Sequence, residues 1–210
     1  MKKIMLFLTA VLALFSANSQ AHPHAFIDMK TKVIVKDNQL SGFAVEWLLD
    51  EISSSEVLYD LKLAKNDSKA VQTLADEMIK NVVSEHYFSY LYDAKGNRVK
   101  YSAKPHHYGL KAQGQQILYY FEFNLTDLHP LTNTQYQLEI YDPTYYVSMF
   151  YPNASAVDFS QLPAQCKGEM VDPQVDEKTK KYAQSLDKTQ RDEDYSLGAQ
   201  FAQKVRIMCQ

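Results

Sequence analysis

The sequence predicts an α+β fold: an antiparallel sheet, two helices inserted after its first hairpin, and a helical C-terminus tied down by a disulfide. Three observations support this prediction. Apolar residues alternate over 26–35 and 40–49, and a period of two is typical of strands. Residues 71–83 instead place apolar side chains at helical spacing. The two cysteines, Cys166 and Cys209, most simply form a disulfide in an oxidising compartment.

The first 21 residues have the pattern of a cleaved signal peptide. Two lysines precede an apolar run over 4–15, and small residues at 19–21 suit the cleavage positions. The run is shorter than the roughly 20 residues that cross a bilayer, and no later stretch approaches that length. Cleavage after Ala17 is disfavoured because Phe15 would stand where a small residue is needed. We therefore expect a soluble periplasmic protein, without membrane insertion, whose mature chain begins at His22.

Composition narrows the classes of function. Without the two signal lysines, 20 of the 22 basic residues remain against 25 acidic ones, a formal charge of about −5 that speaks against nucleic acid. Nucleophile elbows, phosphate-binding glycine loops, dinucleotide fingerprints and the H-E-x-x-H motif are all absent from the sequence. An enzyme is therefore not the favoured interpretation.

The first hairpin joins a strand over 26–35 to a return strand over 40–49 through the turn Asp37-Asn38. If Lys36 pairs near Leu40, the numbers of paired residues sum to about 76, and residue 26 lies opposite residue 50. This register predicts that the histidines at the start of the first strand lie beside Asp50 and Glu51 at the end of the second.

Two helices should follow the hairpin. Ser53-x-x-Glu56 resembles a capping box for a short first helix, and residues 66–68 cap a longer second one. His86 lies four residues after Val82 on the apolar stripe of the second helix, so we expect it to point inward. A buried structural histidine at the end of the helix is the alternative to a ligand.

The remaining chain predicts further strands and a helical end. Adjacent histidines, His106 and His107, fall in a predicted loop. A polar helix over 178–186 and an amphipathic helix over 197–208 close the chain, with Cys209 ending the latter. The predicted division is therefore a signal peptide (1–21), an α+β domain (22–168) and a C-terminal helical extension (169–210). The predicted strands after the helices cover 88–92, 98–104, 117–124, 135–141 and 145–151.

The mature start His22-Pro23-His24 combines two imidazoles with a free α-amine, and both groups bind transition metals. Pro23 lacks an N–H, which disfavours the square-planar copper or nickel motif that needs a deprotonated amide there. We predict a divalent metal site of His22 and His24 with Asp50 or Glu51. His86 is the first candidate for a further ligand, and Asp142 is a weaker one. Zn, Ni or Co suits such ligands, with Cu as a further candidate, and two histidines at a flexible end are the alternative without a metal.

Three motifs resemble a known family. Residues 22–28 (HPHAFID), 47–51 (WLLDE) and 141–146 (YDPTYY) stand in the order found in a secreted bacterial family named domain of unknown function 1007. That family is labelled as the substrate-binding part of an uncharacterised ABC-type transport system. The resemblance covers residues 22 to about 168. It implies a periplasmic accessory protein whose genes accompany nickel/cobalt-type permeases, and so a membrane metal permease as partner.

The expected function is therefore the binding of a divalent transition metal in support of a metal transporter. A periplasmic binding or assembly module without a metal is the first alternative. A copper enzyme in which His22 forms an N-terminal histidine brace is the second.

Overall fold

The computed structural model describes residues 23–65, 67–186, 190, 192 and 194–210, so the predicted signal peptide and His22 lie outside the described residues. Two β-sheets and four α-helices make up the described part of the chain. The strands are β1 (Ala25–Lys36), β2 (Gln39–Leu49), β3 (Ser89–Tyr92), β4 (His106–Gln113), β5 (Gln116–Pro130), β6 (Thr134–Ile140), β7 (Val147–Phe150), β8 (Val157–Asp158), β9 (Cys166–Val171) and β10 (Lys204–Cys209). The helices are α1 (Glu51–Ala64), α2 (Ser68–Ser84), α3 (Glu177–Ser185) and α4 (Leu197–Phe201). The predicted α+β class is confirmed.

The first sheet has the strand order β4-β5-β2-β1-β7, and β8 also pairs with β1. The neighbouring long strands β4, β5, β2 and β1 pair antiparallel, whereas β7 and β8 run parallel to β1. The predicted hairpin register is confirmed, because Ile27 pairs with Leu49 and the sum of 76 holds as far as Ile34. A bulge after Ile34 shifts the last pairs by one residue, so that Lys36 lies opposite Gln39.

The second sheet has the order β3-β6-β10-β9 and is antiparallel throughout. Its third strand corrects the prediction of a helix over 197–208, because the helix ends at Phe201 and Lys204–Cys209 form β10. Val205 and Ile207 are each 1% exposed and alternate with more exposed neighbours. The same segment also contains apolar residues at helical spacing, so the sequence alone does not separate a helix from a strand. Pairing with β6 and β9 makes it a strand.

The C-terminal residues are therefore more than a helical extension. The predicted boundary between residues 168 and 169 falls inside β9, and β10 pairs both with β6, which precedes that boundary, and with β9, which spans it. The helices α3 and α4 pack as a small separate cluster through Ala183, Leu186 and Leu197.

The predicted disulfide between Cys166 and Cys209 is present. The two residues are direct partners across β9 and β10, with 4.0 Å between their Cα atoms. The bond therefore joins two strands of the second sheet instead of attaching a helix to a loop.

A single large hydrophobic core contains side chains from both sheets and from α2. The predicted stripe of α2 is confirmed, since Ala75, Ile79 and Val82 are buried, and Asp67 caps the helix by accepting a hydrogen bond from the Lys69 amide. Aromatic side chains of β2 and β5 fill the centre, where the Trp47 and Phe121 rings meet edge to face at 4.8 Å.

Two of the predicted strand boundaries are wrong. Residues 98–104, predicted as a strand, instead make isolated bridges from Arg98 to Tyr92 and from Tyr101 to Leu125. In contrast, His106–Gln113, predicted to begin as a loop, form β4 along the edge of β5. The strand β5 extends beyond its apolar run to Pro130 and pairs with β2 on one side and β4 on the other.

Candidate functional site

The end of the first hairpin is held by Asp50. Its amide donates to the Phe26 carbonyl (3.0 Å), and the Phe26 amide donates back to Asp50 Oδ2 (2.7 Å). Asp50 is also the N-cap of α1, because its Oδ1 accepts from the Ser53 amide at 2.8 Å and its Oδ2 from the Ser53 hydroxyl at 2.9 Å. The cap is therefore Asp50, and not the predicted capping box that begins at Ser53.

These hydrogen bonds favour the charged form of Asp50. Partial burial opposes its charged form, but the hydrogen bonds from Ser53 and Phe26 outweigh burial and lower the pKa of the Asp50 carboxyl below its ordinary value. Both carboxylate oxygens are already used as acceptors. Asp50 thus acts as a structural anchor between β1 and α1, and little of its carboxylate is left for a ligand.

Glu51 differs from its neighbour. It is exposed as the first residue of α1, and no hydrogen bond or ion pair of its side chain is found among the described residues. Of the two predicted carboxylate ligands, Glu51 is the available one.

His24 lies at the same end of the sheet, on the side of β1 that faces β7. Its amide donates to the Tyr146 carbonyl (2.9 Å), and its ring lies 4.9 Å from the Tyr146 ring, tilted by 40°. Parallel pairing of β1 with β7 begins at the next residue, where Ala25 lies opposite Val147. The imidazole is half-buried. The YDPTYY motif therefore has a structural role: its Tyr146 binds the N-terminal histidine segment. The sequence pattern did not predict this role.

The prediction that His86 points inward is wrong. The helix α2 ends at Ser84, and a short 3-10 turn follows in which Tyr87, at 2% exposure, takes the buried position and His86 is exposed. His86 lines a cavity together with Arg98 and Lys100. The described residues that line this cavity include no carboxylate, no cysteine and no second histidine that could share a metal ion with it.

Asp142, the weaker candidate ligand, is buried and has its own partners. Its Oδ1 accepts from the Thr144 amide (2.9 Å), its Oδ2 accepts from the Val147 amide (3.0 Å), and the Thr144 hydroxyl donates to both oxygens. The carboxylate is therefore used to shape the loop that precedes β7.

The chain is similar to known proteins along most of its length. The family model described as "Protein of unknown function (DUF1007)" matches residues 7–209. The chain belongs to the DUF1007 family. A relative from Haemophilus influenzae, described as an uncharacterized protein, is 53% identical over 190 residues, which cover 90% of this chain and 92% of the relative. No solved structure matches the chain. The match to the DUF1007 family extends well beyond residue 168, so it includes β9, β10 and both C-terminal helices.

The histidines and carboxylates predicted as metal ligands are only partly brought together. Within the described ranges, no group of three or more His, Cys, Asp or Glu side chains is arranged to hold a metal ion. His24 and Glu51 supply two ligand types that suit a transition metal at one end of the sheet. The third predicted ligand, His22, lies outside the described residues.

A second feature of the DUF1007 chain is a groove of about 500 Å³ on the first sheet. Side chains of both charges line it, with ion pairs between Lys30 and Glu46 (3.9 Å) and between Lys32 and Asp158 (3.8 Å). His107 and Tyr120 also line the groove. None of the helices within the described residues combines the length and the apolar character that crossing a membrane requires.

Proposed function

We propose that this DUF1007 protein is a periplasmic accessory protein that binds a divalent transition metal at its mature N-terminus, in support of a membrane metal permease. The observation that supports this best is the register of β1 and β2, which puts the histidine end of β1 beside the carboxylates that follow β2. The predicted signal peptide and the disulfide support an oxidising compartment. The permease as partner is supported by the resemblance to a family that accompanies such transporters.

The proposed ligands are the imidazoles of His22 and His24 and the carboxylate of Glu51. Asp50 holds the two chain segments together through hydrogen bonds that occupy both of its oxygens, and His86, exposed beyond the end of α2, is not part of the proposed set. Nitrogen and oxygen donors of this kind suit Zn, Ni or Co, and Cu is the further candidate. Because an imidazole must be neutral to bind a metal, affinity falls as the pH drops through about 6.5.

Calorimetric titration of Zn, Ni and Cu into the metal-free mature protein tests this proposal. We expect wild type to bind one ion with a Kd well below millimolar, and His22→Ala/His24→Ala to lose that binding. Glu51→Gln should weaken binding, whereas His129→Ala, at the far end of β5, is the matched control and should bind like wild type. A wild-type Kd no tighter than about millimolar, roughly −4 kcal/mol, would refute the proposal.

The groove on the first sheet favours a second candidate, a binding module without a metal. Its balanced charges suit a small zwitterionic ligand such as an amino acid or a dipeptide. Thermal-shift measurements with a panel of such compounds test this, with Ala44→Trp to fill the groove. A compound that stabilises wild type but not the Ala44→Trp variant would support the module. No shift with any compound would leave the metal proposal as the better one.

A further inference from the structure

The loop between β6 and β7 is built around one buried carboxylate. Asp142 is 7% exposed, and each of its oxygens accepts a backbone N–H, from Thr144 on one side and from Val147 on the other. The Thr144 side chain, equally buried, donates its hydroxyl to the same carboxylate. Burying a charge is costly unless hydrogen bonds compensate for it, and here they come from within the loop.

The loop is also supported from behind by the C-terminal segment. Gly198, at the start of α4, donates its amide to the Pro143 carbonyl (3.2 Å). A Cβ atom at Gly198 would collide with the Asp142 carbonyl, so the approach of α4 requires glycine. The Tyr145 ring stacks on the Phe201 ring of α4 at 4.1 Å. Several independent contacts therefore fix the shape of residues 142–147.

This fixed loop is what holds His24. The Tyr146 carbonyl, which accepts from the His24 amide, lies between the two residues bound by Asp142, and the Tyr146 ring contacts the imidazole. On its other side the N-terminal segment is held by Asp50, through the Phe26 amide. His24 and Phe26 are thus fixed by different carboxylates.

We propose that Asp142 is a positioning residue for the N-terminal metal site, acting through Thr144 and Tyr146 to fix the place and orientation of the His24 imidazole. The metal function proposed above explains why His24 would need to be positioned. Whether Asp142 positions it can be measured without a metal. Partners that orient a ligand in this way commonly change metal affinity by about 10–100-fold when they are removed.

Amide hydrogen exchange of His24 in the metal-free mature protein tests the positioning. Asp142→Asn removes one carboxylate acceptor, and Thr144→Val removes the hydroxyl while keeping the shape of the side chain. We expect both to speed exchange at the His24 amide roughly tenfold, the effect of losing one hydrogen bond of ordinary strength. Thr144→Ser retains the hydroxyl and should exchange like wild type. The Phe26 amide is the internal control and should not change.

The outcomes separate the two ideas. Unchanged exchange at His24 in both variants would overturn the positioning role, as would equal acceleration at His24 and Phe26, which is a global effect. If His24 exchange rises as expected and Zn titration of Thr144→Val shows a roughly tenfold weaker Kd than Thr144→Ser, the positioning role is established. If exchange rises but wild type binds no Zn, Ni or Cu, the loop still orients His24 and the metal function alone fails.

Discussion

Asp50 should be worth more to stability than an ordinary helix cap, because it holds two segments at once. The matched control is Asp67, which caps α2 through the Lys69 amide. Losing a cap of this kind costs about 1 kcal/mol. Asp50 also accepts the Phe26 amide at 2.7 Å, and a hydrogen bond to a charged group contributes about 1.5 kcal/mol at the lower end of its range.

We therefore expect Asp50→Ala to lower the free energy of unfolding by about 2.5 kcal/mol and Asp67→Ala by about 1 kcal/mol. Urea denaturation followed by circular dichroism measures both. Asp50→Asn should lie between wild type and Asp50→Ala, because an amide keeps one acceptor oxygen. Equal costs for Asp50→Ala and Asp67→Ala would refute the argument that Asp50 anchors β1 to α1.

The same residue predicts a pH dependence. The pKa of Asp50 is lowered in the folded protein, so the unfolded chain binds its proton more readily. The stabilisation from Asp50 is then fully present above the unfolded pKa, near 4, and is lost as the pH falls through the lower folded value. Wild type should lose stability below about pH 4 more steeply than Asp50→Asn, measured as urea midpoints between pH 6 and pH 3.

Three further predictions concern the rest of the chain. Replacing Cys166 and Cys209 with serine releases a span of 43 residues and should lower stability by up to about 4 kcal/mol; an unchanged urea midpoint would contradict this. Gly198→Ala should destabilise by about 1–3 kcal/mol through collision with the Asp142 carbonyl, and a neutral effect in thermal unfolding would speak against the close approach of α4. Intact-mass measurement of the exported protein should give a chain that begins at His22, whereas a retained preceding residue would exclude the α-amine as a ligand.

The sequence predicted best those features that depend on short-range periodicity. The alternation along β1 and β2 and the turn at 37–38 were enough to give the register, because both strands have one buried face and a slip by one residue would expose it. The apolar stripe of α2 was equally clear. The disulfide followed from an even count of cysteines.

Features set by distant partners could not be read in the same way. Val205 and Met208 have helical spacing, whereas Val205 and Ile207 have strand spacing, and pairing with β6 and β9 makes Lys204–Cys209 a strand. His86 lies four residues after Val82, at the spacing of the apolar stripe of α2. The helix ends at Ser84, two residues before His86, and Tyr87 takes the buried position.

The candidate site shows the same division. The strand register predicted that the histidine end of β1 lies beside Asp50 and Glu51. It did not predict that the Asp50 carboxylate accepts hydrogen bonds from the Phe26 amide and from the Ser53 amide of α1. The role of the YDPTYY motif depends on contacts of its backbone with His24, more than 100 residues away, which no local pattern records.

The proposed metal site is tested most directly by nitrogen-15 NMR of the histidine side chains in the mature protein. One equivalent of Zn should shift the ring nitrogens of His22 and His24 and leave the other four histidines unchanged, since the ligands lie at the start of β1. A shift confined to His106 and His107 would move the site to the groove on the first sheet. No shift at any histidine would contradict metal binding by this N-terminus.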